Sequence, residues 1–270
     1  MELKKLAILG STGFIGNRLY IDLKNKYKII RIDRKFKFKK NLKIDCLICC
    51  SGPNKFWCAR NKKSILKKST YFAKKIQIFS KKNSVKNIIY FSSVHVLKKN
   101  DKALIPYIKW HQNIEKYLKK LKINKKIIRL PNLFGKPIKN KKNFWDFLIN
   151  SIIKKSFLKK KIIIKNKPNK KIFAMPLNFF INFLEKEIDK DFIKLTRIIN
   201  LSSYYKFRTD EFLYIVKEIL KKRNIAPKIV LKNDFPKNLI LNSIISKSEY
   251  SFFKKEIIDL LKFAKDQIKL

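Results

Sequence analysis

A chain of 270 residues can bury a sizeable core, as one large domain or as two smaller ones. Its 46% hydrophobic and 13% aromatic content excludes a disordered protein, despite 67 Lys and Arg against 19 Asp and Glu. The net charge of +48 would ordinarily point to nucleic acid or an anionic membrane, yet the lysines are spread over almost every segment, and the joint abundance of Lys, Ile, Asn and Phe reads as drift toward AT-rich codons.

KKLAIL is a short apolar strand that runs directly into a glycine turn, and the apolar stretch before that turn is too short for a signal peptide. Residues 14–25 carry Phe14, Ile15, Leu19, Ile21 and Leu23 at helical spacing. YKIIRID and IDCLICCS follow as strands, Ser64 to Lys82 as a helix, NIIYFSS as a buried strand, Ile108 to Lys122 as a helix and KKIIRLP as a strand. Such alternation predicts an α/β fold of Rossmann type, a doubly wound parallel sheet with helices on both faces. The second half is less regular: helices at 144–155, 177–188, 210–221 and 252–268, with short strands in KKIIIKN, TRIINLSS and PKIVLKN. The lysine-rich stretch from Lys136 to Asn143 is the natural boundary, giving a cofactor domain over 1–135 and a smaller α/β substrate part over 136–270, interwoven with the first. No run approaches the roughly 18 apolar residues of a membrane span. A cytoplasmic protein without membrane partners is expected.

Gly10, Gly13 and Gly16 stand after a strand and before a helix, the context that a dinucleotide fingerprint requires. The turn permits a pyrophosphate to approach the backbone of Gly10, Thr12, Gly13, Phe14, Ile15 and Gly16, with free helix N–H groups meeting its charge. Asp33, 17 residues past Gly16 at the end of the second strand, suits a carboxylate on the adenosine ribose and favours NAD; Arg34 beside it admits NADP. Cys46, Cys49, Cys50 and Cys58 are expected to be buried and structural. Neighbouring strand residues face opposite ways, and with only His95 and His111 in the chain no metal site is expected.

The GxxGxxG spacing, DCLICCSG, NIIYFSSVHV, PYIKWHQNIE, IIRLPNLFG and IINLSS, in that order, resemble the extended short-chain dehydrogenase/reductase family, the group of nucleotide-sugar epimerases, dehydratases and ketoreductases. The resemblance covers roughly residues 4 to 205. It implies a cofactor contact at Ser51 and Gly52, a catalytic Ser93, and Tyr107 as the proton-transferring residue of a helix that also carries Glu115. Arg129, Asn132 and Gly135 fall on the segment that links cofactor and substrate parts. The family's lysine one turn after the tyrosine, which holds the nicotinamide ribose and lowers the tyrosine pKa, is replaced by His111, while Lys109 lies around the opposite side of the helix. A neutral imidazole can still bond a ribose hydroxyl, and a protonated one can stand in for the ammonium.

The sequence departs from the family elsewhere too. Only 14 residues separate Ser93 from Tyr107, fewer than usual, and Val94 and His95 stand where dehydratases place an acid pair. His95, if on a continuing strand, points the same way as Ser93 into the pocket. Lys171 stands where the family carries an arginine to the nucleotide diphosphate, and a lysine lacks the bidentate fork. With Asn132 and His95 it makes up the candidate substrate contacts. The implied function is an NAD(P)-dependent epimerase or ketoreductase acting on a nucleotide-linked sugar, with pairing into a homodimer through the Tyr107 helix and no nucleic-acid partner. The alternatives are a catalytically impaired, NAD(P)-responsive scaffold for RNA or protein, and a carbonyl reductase for a small substrate.

Overall fold

The computed structural model describes residues 2–33, 41–97, 102–138, 145, 148–158, 160–164, 171–190, 192, 195–231 and 246–267. In chain order its elements are β1 (Lys5–Leu9), α1 (Phe14–Leu23), β2 (Lys28–Ile32), β3 (Cys46–Cys49), α2 (Lys55–Arg60), α3 (Ile65–Lys82), β4 (Asn87–Ser93), α4 (Ile105–Lys119), β5 (Asn124–Leu130), β6 (Asn132–Phe134), α5 (Leu148–Phe157), β7 (Ile162–Ile164), β8 (Lys171–Pro176), α6 (Leu177–Asp189), β9 (Thr196–Asn200), β10 (Lys206–Arg208), α7 (Thr209–Lys221), β11 (Ile229–Leu231) and α8 (Lys247–Gln267). The chain divides into one unit of Met1–Pro131 with Leu184–Leu201 and another of Asn132–Phe183 with Ser202–Leu270.

The first unit is built on a six-stranded sheet in the order β2-β1-β3-β4-β5-β9, every pairing parallel. β3 is buried along its whole length and β4 along all but its first residue, as both faces of a parallel sheet are covered. One face is filled by Ala7, Leu47, Cys49, Ile88, Tyr90 and Ile127, against Ala73, Ile76 and Phe79 of α3 and Trp110, Ile114 and Leu118 of α4. Residues 184–201 join this unit through β9, which lies beside β5, and through Glu187, whose carboxylate meets the buried Lys126 at 3.4 Å. Lys126 also donates to the Glu187 carbonyl at 2.6 Å and is 1% exposed.

Register places the site. Leu9 lies opposite Ile32 on one side and Cys49 on the other, so Gly10, Asp33 and Cys50 leave the sheet at one level. Cys49 lies opposite Tyr90, and β4 continues three residues further to Ser93. The chain reverses its direction of travel across the sheet between β1 and β3, the switch point at which open α/β sheets bind ligands.

The second unit holds a three-stranded sheet, β10-β8-β6, and the parallel pair β11-β7. Phe134, Phe207, Phe212 and Phe253 pack ring against ring in its core. Glu256 of α8, 1% exposed, accepts the backbone N–H groups of Lys136 and Asn178, both at 2.9 Å. Gly135 has φ +152°, and a Cβ there would run into that carboxylate.

Several expected bounds shift. The helix expected from Ile108 begins at Ile105, with Pro106 in its first turn, and ends at Lys119. The last helix begins at Lys247 rather than Phe252, and the helix expected from Phe144 is described from Leu148. α2, β6, β8 and β10 are additional short elements.

Candidate active site

The glycine turn meets its steric requirements at two places. Gly10 has φ +88°, and a Cβ there would lie 2.8 Å from the Ser51 backbone nitrogen. At Gly16 a Cβ would be driven into the Gly10 carbonyl oxygen. The turn is closed by Gly13 N–H donating to the Gly10 carbonyl at 3.0 Å and pinned to β2 by Gly10 N–H donating to the Ile32 carbonyl at 2.9 Å. α1 then starts at Phe14 with no side-chain bond from its N-cap Gly13 and no acidic residue in its first turn, so an anion there meets the positive end of the helix without a competing carboxylate. Thr12 and Gly13 are exposed, Phe14 and Ile15 half-buried, and the buried Ser11 hydroxyl has no hydrogen-bond partner.

Asp33 is exposed directly after β2, and Arg34 lies outside the described residues. Arg31 was not singled out by the sequence: its guanidinium stacks 4.4 Å from the Tyr20 ring centroid and reaches the Ser11 carbonyl at 3.5 Å, a cation beside the turn. Ser51 and Gly52 follow β3 next to Gly10. The buried Trp110 indole nitrogen, itself without a hydrogen-bond partner, is 4.0 Å from where a Gly52 Cβ would stand.

Ser93, the last residue of β4 and 4% exposed, lies near enough to the Tyr107 hydroxyl to lower its pKa. The short connection therefore does bring the expected pair together. It passes through a tight 3-10 turn at Val94–Leu97 and another at Lys102–Leu104. That turn corrects the reading of His95. The strand stops at Ser93, so alternation does not aim the imidazole. Instead its ring stands nearly perpendicular to that of Tyr107, centroids 6.2 Å apart, and its backbone N–H donates to the Ser93 hydroxyl at 3.3 Å.

Tyr107 is half-buried, and loss of water raises its phenol pKa above the ordinary value, an effect that the nearby Ser93 hydroxyl reduces. His111, one turn on, lies edge-on to the Tyr107 ring with centroids 4.7 Å apart, while Lys109 is exposed. Its Nδ1 is 2.8 Å from the Tyr90 hydroxyl, and its buried Nε2 has no hydrogen-bond partner. Burial pushes the imidazole pKa down to about 4, against the attraction of Glu115. His111 is therefore neutral at physiological pH, which removes the expectation that it replaces the ammonium in its charged form.

Glu115 and Arg129 are spent on each other. The guanidinium grips the carboxylate through two bonds, 3.0 and 2.7 Å, and Ser92 donates to the same carboxylate at 2.6 Å. In the second unit, Asn132 gives its amide to the Phe173 carbonyl at 3.0 Å, and Lys171 opens β8, exposed. Register sets Asn132 opposite Ala174, three residues along β8 from Lys171.

All four cysteines are unpaired thiols; Cys46, Cys49 and Cys58 are buried and Cys50 half-buried, and burial pushes Cys58 up to about 11. Among the described residues no cluster of three or more His, Cys, Asp or Glu can hold a metal ion, and no helix is long and apolar enough to cross a membrane. A cleft of about 730 Å³ lies at the opposite, N-terminal ends of β1, β3 and β4, lined by Lys5, Lys43, Asp45 and Lys86 among others. It is far from the Ser93–Tyr107 pair in register, and Asp45 already binds Lys86 at 2.7 Å.

No family model matches the sequence, and no curated protein matches it in sequence. Solved structures do match in fold. A UDP-N-acetylglucosamine 4-epimerase from Methanobrevibacter ruminantium M1, in complex with UDP-N-acetylmuramic acid, superposes with a TM-score of 0.75 at 16% identity, covering 99% of this chain and 100% of its own. RMD from Pseudomonas aeruginosa, complexed with NADPH, gives 0.72 at 12% identity over 98% and 99%. A UDP-glucuronic acid 4-epimerase from Bacillus cereus, in complex with NAD, gives 0.70 at 15% over 98% and 97%. Over essentially its whole length the chain thus shares the fold of these solved structures.

Proposed function

We propose that this protein is an NAD(P)-dependent epimerase or ketoreductase acting on a nucleotide-linked sugar. The observation that carries the proposal is the approach of the Ser93 hydroxyl to Tyr107, near enough to lower the phenol pKa, at the C-terminal end of the sheet whose switch point also holds the glycine turn. The cofactor fits what the first unit offers: a turn that admits no Cβ at Gly10 or Gly16, a first turn of α1 without an acidic residue, and buried polar atoms without partners at Ser11 and His111. Gly10, Thr12, Gly13, Phe14, Ile15 and Gly16 would hold its phosphates, Asp33 a ribose, Ser51 and Gly52 its middle, and His111 the second ribose. When bound, the nicotinamide supplies or accepts the hydride. Tyr107 exchanges a proton with the sugar oxygen, and Ser93 bonds the same oxygen as charge develops there. His95, Asn132 and Lys171 are the proposed substrate contacts, Lys171 as a point charge for phosphate. The fold relatives' bound ligands, NAD, NADPH and UDP-linked sugars, agree with this reading.

The test is a Tyr107→Phe variant of the purified protein, assayed for NAD(H)-linked turnover of UDP-hexoses with cofactor binding followed in parallel. Loss of turnover with NADH binding retained is expected; undiminished turnover overturns the assignment of Tyr107.

A further inference from the structure

We propose that Tyr90 is a positioning residue for the cofactor site: its hydroxyl, 2.8 Å from His111 Nδ1, fixes the imidazole as the Nε2–H tautomer and so presents one neutral N–H donor to the ribose of a nicotinamide nucleotide. This role rests on the reading of the first unit as an NAD(P) site. Tyr90 sits inside the buried run of β4 at 1% exposure, where burial holds its proton, and among the described residues His111 Nδ1 is the one acceptor within reach of that O–H, so the hydroxyl donates and Nδ1 accepts. A neutral ring bonded in that way has its only hydrogen on Nε2. That nitrogen is buried and has no hydrogen-bond partner, and buried N–H groups in folded proteins nearly always have an acceptor. A donor left over at such a place marks where a ligand oxygen belongs.

The charged and titratable groups around the ring support the neutral state. From α4 come Tyr107 and Glu115; from the turn after β4, His95; and from β4, Tyr90, which itself faces Cys49 of β3 and Cys58 of α2. Glu115 is the one carboxylate among them, and it is taken by Arg129 and Ser92 rather than by His111. Nothing in that set holds a proton on Nδ1. The imidazole thus takes over one task of a lysine, hydrogen bonding to a ribose hydroxyl, and leaves the other, a fixed charge beside Tyr107, undone.

The chain has two histidines, which makes nitrogen NMR on isotope-labelled histidine a direct test, with His95→Gln to assign the pair. In the full-length protein His111 is expected to show a bare Nδ1 and a protonated Nε2, unchanged between about pH 5.5 and 8. Addition of NADH should move the Nε2 resonance far more than Nδ1. Tyr90→Phe should bring in the Nδ1–H tautomer and weaken NADH binding several-fold. An Nδ1–H tautomer in the unsubstituted protein, or a midpoint near the ordinary 6.5, overturns the lock, and so does a Tyr90→Phe variant with the tautomer unchanged. Should Tyr90→Phe not fold, the unsubstituted protein's spectrum still decides. An intact Nε2–H tautomer with no binding of NADH overturns the cofactor reading and the ribose role together, while leaving the lock itself established.

Discussion

Replacing His111 by glutamine should remove an acid-triggered loss of stability, and its size follows from one buried ring. The imidazole is 6% exposed, and its pKa falls from the ordinary 6.5 to about 4. The folded state therefore binds the proton less readily than the unfolded chain. Stability associated with the neutral ring is fully present above about pH 6.5 and is lost as pH falls toward 4, below which no more is lost. The full loss is about 3 kcal/mol at 1.36 kcal/mol per pKa unit, and most of it has been lost by pH 4.5. Urea unfolding of the two proteins at about pH 7.5 and about pH 4.5 measures it, because the carboxylates titrate in both and cancel in the difference. The glutamine of the His111→Gln variant does not titrate, so the gap between the proteins at about pH 7.5 should shift by about 2–3 kcal/mol in favour of the variant at about pH 4.5. A gap that stays constant across that range would refute a neutral, buried His111.

Gly16→Ala pushes a methyl group into the Gly10 carbonyl and should cost about 1–3 kcal/mol of stability, with NADH affinity down at least about tenfold in a fluorescence titration. Glu115→Gln leaves Arg129 without its carboxylate in a site where the two are 5% and 17% exposed; chemical denaturation should show a loss of about 3 kcal/mol, against less than about 0.5 for Arg18→Gln in the α1 pair with Asp22. Asp33→Ser removes the charge that would repel a 2′-phosphate and leaves Arg31 beside the turn; the ratio of NADPH to NADH affinity should rise at least about tenfold in parallel titrations.

What could be read from the sequence depended on how singular each chemical demand is. Only glycine satisfies Gly10 and Gly16, and the chain has just five glycines, so that turn stood out. The sheet's buried strands were legible as apolar runs because both faces are covered. Tyr90 was not, since a tyrosine inside NIIYFSS looks like one more core aromatic until its partner across the fold is known. Lys125 and Lys126 show where charge is a poor guide: both are buried, their ammonium groups bonded to the backbone carbonyls of Leu121 and Glu187. α2, at six residues, is too short to display a helical period, and its signal lay in Asn54, whose side chain accepts from Trp57 N–H at 2.8 Å. The return of residues 184–201 to the first unit was hidden because their partners in β5 are remote in sequence.

The chain is strongly basic, yet one turn after Tyr107 it carries a neutral ring in place of a cation. A net charge of +48 creates a field that draws in phosphate-bearing molecules, but salt screens exposed charges beyond roughly 8–10 Å and their separation from a half-buried phenol weakens them further. Surface lysines such as Lys109 therefore do not set the proton affinity of Tyr107; its immediate neighbours do. Those are a serine that lowers it in part, a neutral imidazole, and apolar walls that raise it. On the proposed reading, a tyrosine left in this state keeps its proton at neutral pH and yields it most readily to an oxygen that is gaining negative charge. Protonating a sugar carbonyl as hydride arrives is the direction such a site favours, and abstraction of a hydroxyl proton, the first step of an epimerisation, is the direction that an alkaline pH would have to assist.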